Sequence, residues 1–333
     1  MNAWVLDDFG GPEVFERREI DVPEPDGRQV LVRVHATSVN PVDYKIRRGD
    51  AAALCPPRPA TLHGDVAGTV VAVGDEVTAF DVGDAVYGCA GGYVGAPNGA
   101  LADYMPCDAR LLAPMPESLS FREAAALPLV TLTAWEALID KAEVEGNEHV
   151  LVHGATGGVG HVGVQLADDR GATVTATASS RPKLDRGAEL GADHLVNYED
   201  EPVADYVQRL TDGTGFDLVF DTVAGENFHL SVEAARIDGA VATVNPQTGL
   251  DLRPAYNKAL TLHLVLMLTP IVRGVGRAHH GDILREAAAM VDAGRLRPLV
   301  DDHRFTFDDI GDAHAFAEAG KQIGKVAVVH PEA

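Results

Sequence analysis

Between Val150 and Gly160 the chain reads VLVHGATGGVG. The apolar run Val150, Leu151 and Val152 predicts a buried strand. The glycines after it predict a tight turn that opens into an amphipathic helix over Gly160–Asp168. Strand, glycine turn and helix start together hold a pyrophosphate. The first helical turn presents N–H groups with no partner in the helix and a partial positive charge, and missing side chains let the phosphate come close. The candidate contacts are Ala155, Thr156, Gly157, Gly158 and Val159. Glycines also serve plain turns through positive φ. Here a strand before, a helix after and a second strand over Ala172–Ala178 complete a βαβ unit, the setting a dinucleotide needs. A fold that selects NAD places an acidic residue at the end of that second strand, on the ribose hydroxyls. Ala178 stands there instead, followed by Ser179, Ser180, Arg181 and Lys183. Two hydroxyls and two cations suit a ribose 2′-phosphate through charge-assisted hydrogen bonds, so NADPH is the expected cofactor. The alternative is an exposed loop whose serine pair caps the next helix.

The elements that must carry this site alternate. Strands are predicted over His149–His153, Ala172–Ala178, His194–Tyr198, Phe216–Asp221, Ala240–Asn245 and Leu260–Met267. Between them, helices are predicted over Gly160–Asp168, Arg181–Leu190, Val203–Leu210 and Phe228–Ala235. Such alternation demands a parallel, doubly wound sheet. Residues 1–125 read differently, as an all-β region with Pro and Gly punctuation and strands near Gln29–Ala36, Gly68–Val73, Gly83–Tyr87 and Leu101–Met105. Helices are expected over Glu123–Leu127, with Ser120 as cap, and over Thr131–Lys141, with Pro128 between them. The tail carries a helix over Asp282–Asp292, a strand near Arg304–Phe307, a helix over Ile310–Ala319 and a last strand over Lys325–His330.

Composition narrows the partners. The 333 residues suit two domains. With 27 basic and 50 acidic residues the net charge is −23, a surface that repels nucleic-acid backbones and anionic membranes. Arginine carries most of the positive charge. One account is a high-salt cytoplasm, since at ~1 M salt the Debye length is about 3 Å and dense carboxylates stop repelling one another; the other is a merely acidic protein from a GC-rich genome. Trp4, Val5 and Leu6 run directly into Asp7 and Asp8, which argues against an export leader. The most apolar run, Leu260 to Val272, is too short for a membrane span and is broken by His263 and Pro270. Cys55, Cys89 and Cys107 form no CxxC pair, in keeping with a reduced, cytoplasmic setting.

The motifs NPVDYKIRRG (40–49), LHGDVAGTVVAVG (62–74), GALADY (99–104), AAALPLVTLTAWEAL (124–138), HGATGGVG (153–160), LGADHLVNY (190–198), FDLVFDTVAG (216–225) and GKVAVV (324–329) are weak singly and specific together. In this order the chain resembles the medium-chain dehydrogenase/reductase superfamily, and more closely its zinc-independent quinone oxidoreductase and enone reductase branch. The resemblance implies an α/β protein: a GroES-like β-barrel catalytic domain over 1–123 and 265–333, around a Rossmann domain over 124–264, with the site in the cleft between them. In zinc-containing relatives a Cys, a His and a Cys surround the catalytic metal. The matching positions here are Asn40, Gly64 and Leu129, none of which binds zinc, and His63 is one residue off. The structural-zinc cysteines are missing too. No metal is therefore expected.

What else the resemblance implies concerns single residues. Asn40, a donor and acceptor, would hold the nicotinamide ribose or a substrate oxygen; its plain alternative is a turn residue before Pro41. Lys45 would meet the developing oxyanion; its alternative is a solvated lysine. Tyr44 is a possible proton donor, with a core or rim role as the blander option. Asp43 and Asp65 are expected to make structural bonds or ion pairs with Arg47 or Arg48. Thr133 matches a position close to the nicotinamide amide, Tyr198 one near the adenosine end, and Asn245 is a further candidate at the nicotinamide end. Asp221 is expected to brace the sheet. The segments Gly91–Gly99 and beyond Leu268 are expected to line the substrate pocket, without a polar pattern that names the substrate. The function this implies is NADPH-dependent reduction of quinones or α,β-unsaturated carbonyls without zinc, by a homodimer. The alternatives are a non-catalytic, crystallin-like NADPH-binding protein and a zinc alcohol dehydrogenase with rearranged ligands.

Overall fold

The computed structural model describes residues 1–244 and 249–332. The chain divides into two compact units. One is Met1–Leu129 with Leu268–Gly294 and Pro298–Ala333; the other is Val130–Met267 with Arg295–Arg297. No helix among the described residues is long and apolar enough to cross a membrane.

The first unit is built on the strand Gln29–Val39. Its valines at 30, 32 and 34 and Ala36 are buried, as alternation along a half-buried strand requires. Register shifts at Leu31/Val32 and Val34/Ala36 bend it. It therefore pairs with Asp65–Val73 and with Tyr104–Asp108 along its first part, and with Val326–Val329 from Ala36 to Val39. The seven-stranded sheet continues outward to Ala85–Cys89 and Leu112–Pro114 on one side and Phe305–Thr306 on the other. Thr37 and Ser38, just before the strand's end at Val39, are polar yet buried, which marks this end as something other than core.

Residues 1–125 are not all-β: a helix spans Pro41–Arg48. Pro41 lacks an N–H that the first helical turn would leave unpaired anyway, and the Asp43 carboxylate accepts from the Asn40 N–H at 2.7 Å. The same property of proline overturns a second expectation. Pro128 does not separate two helices; it opens one, Pro128–Trp135, which continues as a π-turn through Lys141. The preceding helix is a single turn, Phe121–Ala124, capped by Ser120 and Glu123 reciprocally.

In the second unit six parallel strands stand in the order His194–Asn197, Thr173–Ala178, His149–His153, Phe216–Asp221, Ala235–Thr243, Thr261–Leu264. The chain starts in the middle, winds to one edge, then crosses back beside its starting strand and winds to the other. The point of reversal lies between His149–His153 and Phe216–Asp221, and ligands bind such sheets at the carboxyl ends there. Leu151, Val196, Phe216, Val219, Phe228 and Val241 fill one face. The fifth strand ends at Thr243, so Asn245 lies beyond it and outside the described residues. The helix expected over Asp282–Asp292 begins earlier, at Arg277.

Candidate active site

In the second unit the glycine turn takes the expected form. Gly154 has φ 66°, and its carbonyl accepts from the Gly157 N–H at 2.8 Å. The helix that follows runs Gly158–Asp169. A Cβ on Gly160 would overlap the Gly154 carbonyl oxygen, so only glycine lets helix and turn approach this closely. Ala155 donates its N–H to Thr177 O at 3.1 Å, tying the turn to the next strand. Ala155 and Thr156 are buried, Gly158 and Val159 half-buried, and Gly157 exposed. Neighbouring groups brace the strand ends. Asp221 accepts from the N–H groups of Val223 and Ala224 and from Asn227 Nδ2, and Thr222 donates to His153 O at 2.6 Å. His153 sits beneath the turn with Nδ1 3.3 Å from Thr177 Oγ1. Burial pushes its imidazole down to about 4.

At the end of Thr173–Ala178, Ser179, Ser180 and Lys183 are half-buried, and their side chains have no hydrogen-bond partner among the described residues. The alternative in which Ser180 caps the next helix is absent, although Ser180 holds the cap position. Arg181 differs: it is exposed, and its Nε donates to Asp185 at 2.8 Å one helical turn on. Tyr198 is 50% exposed, and its N–H reaches Ala178 O at 3.3 Å, so the two strand ends lie side by side. Thr133 is buried in the helix Pro128–Trp135.

The first unit gathers a polar network around Asn40. Asn40 Nδ2 donates to Asp65 Oδ2 at 2.7 Å, and its Oδ1 accepts from the Lys325 ammonium. Lys325 also donates to Val39 O at 3.0 Å and stands 3.6 Å from Asp65. An ammonium has three donors and no acceptor, and here it meets three acceptors. Those two bonds fix which end of the Asn40 amide is which. Asp65 further accepts from Ser38 Oγ at 2.7 Å and, through Oδ1, from the Leu129 N–H at 2.8 Å. All four of Asn40, Asp65, Lys325 and Ser38 are buried. Burial lowers the Lys325 ammonium from its ordinary value, against the pull of Asp65 and Asp43. It raises Asp43 to about 7.

This network occupies two of the three positions 40, 64 and 129 that match the zinc-ligand pattern. Asn40 and Leu129 are both tied to Asp65. At Gly64 a Cβ would overlap the Tyr93 ring and stand 2.9 Å from Cys89 Sγ. Tyr93 thus fills the place of a side chain there, with its hydroxyl 3.4 Å from Asp43. His63 turns away, in the left-handed region at φ 72°. Its Nε2 lies 2.8 Å from His314 Nε2 and its Nδ1 3.2 Å from Thr37 Oγ1. The Thr37 proton goes to Asp65 O at 2.6 Å, so His63 Nδ1 is the donor to Thr37 and His63 Nε2 accepts from His314. Burial holds both rings neutral, His63 near 3 and His314 well below its usual value.

One expectation changes. Asp43 and Asp65 do not pair with Arg47 or Arg48; both guanidiniums go to Glu318. Arg47 is swallowed whole because the helix turns that face inward. The lysine that reaches Asn40 is Lys325, which the sequence reading did not single out. Lys45 is half-buried on Pro41–Arg48 with no hydrogen-bond or ion-pair partner among the described residues. Tyr44 is also half-buried, its phenol raised by burial and by Glu318. The one signal for Lys325 was its position: a rare lysine opening the apolar strand VAVV directly after Gly324.

Two family models and a number of known proteins resemble the chain. Residues 26–117 match the alcohol dehydrogenase GroES-like domain family, and residues 190–328 match the zinc-binding dehydrogenase family. The chain is 33% identical to the NADPH-dependent alkenal/one oxidoreductase of Arabidopsis thaliana, over 99% of this chain and 80% of that one. It is 34% identical to a quinone oxidoreductase of Rattus norvegicus, over 76% of each. Among solved structures it is similar to an alcohol dehydrogenase superfamily protein from Novosphingobium aromaticivorans, with TM-score 0.93 and 41% identity over 99% of both chains.

Proposed function

The chain belongs to the medium-chain dehydrogenase/reductase superfamily, in its quinone oxidoreductase and enone reductase branch, and from that premise we propose that it reduces quinones or α,β-unsaturated carbonyls with NADPH and without zinc. The observation that carries the zinc-free part is the Asn40–Asp65–Lys325 network. It ties positions 40 and 129 together, and Tyr93 fills position 64. A catalytic zinc needs Cys, His or carboxylate ligands with an open fourth position.

The second unit suits NADPH. The turn at Gly154–Gly160 and the twelve-residue helix behind it hold the pyrophosphate. Lys183, Ser179 and Ser180, lacking side-chain partners among the described residues, hold the 2′-phosphate. Arg181 contributes less, because Asp185 already takes its guanidinium. Thr133 and Tyr198 add contacts at the two ends. Bound NADPH supplies a hydride from C4 of its nicotinamide. The chain's part is to hold the acceptor and answer the charge that develops on its oxygen. Asn40 does so with its second amide N–H, the first being spent on Asp65. Lys45 adds an ammonium to the oxyanion. Tyr44, kept protonated by its raised phenol, returns the proton.

Leu264 and Leu266, 58% and 59% exposed at the edge strand Thr261–Leu264, favour a homodimer. The three free cysteines favour the cytoplasm. The charge of −23 disfavours nucleic acid and membrane, and favours a high-salt setting. NADPH oxidation with 2-alkenals and quinones, in dilute buffer and in molar KCl, tests the whole. No turnover with any acceptor removes the reaction class. Unchanged turnover in Lys45→Ala removes Lys45, and stoichiometric zinc in protein purified without chelator removes the zinc-free reading.

A further inference from the structure

Arg277 opens the helix Arg277–Asp292 and is only 14% exposed. Its guanidinium gathers four acceptors. Nη1 donates to Asp108 Oδ2 at 2.9 Å, Nη2 to Ile271 O at 2.8 Å and to Gly95 O at 3.1 Å, and Nε to Pro270 O at 3.3 Å. Three of these are main-chain carbonyls from two segments distant in sequence. Asp108 is a rigid post, because its strand Tyr104–Asp108 is paired in register with Gln29–Val39.

The two segments are those whose polar pattern names no substrate. Residues 91–99 start beside the Asn40 network. A Cβ on Gly92 would stand 2.8 Å from the His63 backbone, and Tyr93 fills the space over Gly64. The loop then runs outward to Gly95, which has φ +92° and touches the other segment backbone to backbone. A Cβ there would lie 2.7 Å from Val272 O and 2.9 Å from Ile271 O. Three carbonyl oxygens brought together without donors would repel one another and lose their water. Only a planar fork with several N–H groups satisfies carbonyls that point in from different directions.

We propose that Arg277 is a positioning residue for the carbonyl acceptor: it fastens residues 91–99 to residues 268–276 and so fixes one wall of the substrate pocket. The guanidinium is consumed by the protein, so Arg277 itself offers the substrate no charge. This rests on the function proposed above, and the test separates the two.

The variants are Arg277→Ala and Arg277→Lys in the full chain. In Arg277→Ala, KM for the acceptor rises about tenfold or more while kcat and the Kd for NADPH change less than about twofold, because a displaced wall weakens placement and not chemistry. Amide exchange in residues 91–99 speeds up about tenfold. Arg277→Lys falls between, since one ammonium can keep Asp108 and cannot span three carbonyls. Unchanged acceptor KM with unchanged exchange at 91–99 overturns the proposal. So does a loss of NADPH affinity in parallel with acceptor KM, which would mean a general loss of structure. If the unmodified protein turns over no enone or quinone, the proposed function fails, and exchange at 91–99 alone then decides whether Arg277 fastens the wall.

Discussion

Replacing Lys325 with methionine removes an ammonium from a site where nothing else can neutralise Asp65. Lys325 is 3% exposed and Asp65 0%, so water does not reach the carboxylate when its partner goes. Breaking a buried pair by removing one member costs about 3–5 kcal/mol. Asp65 keeps its bonds from Ser38, Asn40 and the Leu129 N–H, and methionine keeps most of the side-chain volume, so no cavity adds to the cost. The lower end, about 3 kcal/mol, is the expected loss, roughly a hundredfold in the folding constant. Asn40 Oδ1 loses its donor in the same step, so turnover falls even at temperatures where the variant is folded. Asp65→Asn in the Lys325→Met background removes the orphaned charge and restores about 2 kcal/mol of that loss. The chain has two tryptophans, Trp4 in the first unit and Trp135 in the second. Urea unfolding followed by Trp4 fluorescence in a Trp135→Phe background therefore reads the unit that holds the pair. Lys325→Met within about 0.5 kcal/mol of its parent would refute the buried ion pair. A double variant no more stable than Lys325→Met would refute the claim that the cost is Asp65's uncompensated charge.

Three further outcomes follow from groups already placed. His63 is held neutral when folded, near 3 against 6.5 when free. Its depressed value means the unfolded chain binds the extra proton, so its contribution is lost as pH falls below 6.5. Asp43, raised to about 7, acts in the opposite sense between 3.8 and 7, and a comparison with His63→Asn removes that common term. Asparagine tolerates the left-handed backbone at 63, and relative to it the parent should lose about 1.4 kcal/mol per pH unit below 6.5. A gap that stays constant from pH 7 to pH 5 would show that His63 protonates in place. Lys183→Ala should raise KM for NADPH about tenfold and leave that for NADH unchanged, with Arg181→Ala affecting either less; steady-state kinetics with both coenzymes decide it. Gly160→Ala, whose new methyl overlaps the Gly154 carbonyl, should weaken NADPH binding more than tenfold, whereas at Gly157 the nearest atom is 3.2 Å away and alanine should be tolerated better; fluorescence titration that finds the two alike would refute the close approach.

Which parts were readable beforehand follows from how far apart the interacting residues lie. The six-stranded sheet and its turn announce themselves locally, because an apolar run, a glycine turn and a helical period each need about ten neighbouring residues. The helix Pro41–Arg48 was also announced locally, by Asn-Pro followed by Asp43, and was obscured only by the β-rich stretch around it. The Asn40 network was not readable in this way. Lys325 lies 285 residues from Asn40 and His314 lies 251 from His63, and no periodicity carries information over that distance. Lys45 was the lysine expected to act beside Asn40. Lys45 belongs to a helix whose inward face is already occupied by Asp43, Ile46 and Arg47. Lys325 opens a strand that pairs with Val39 in register, Val326 opposite Val39. That pairing brings its ammonium to Asn40, beside the buried carboxylate of Asp65. A buried acid in a strand such as Asp65–Val73 is thus itself a long-range statement. It requires donors or a counter-charge from elsewhere in the chain, which Asp65 finds in Ser38, Asn40, the Leu129 N–H and Lys325.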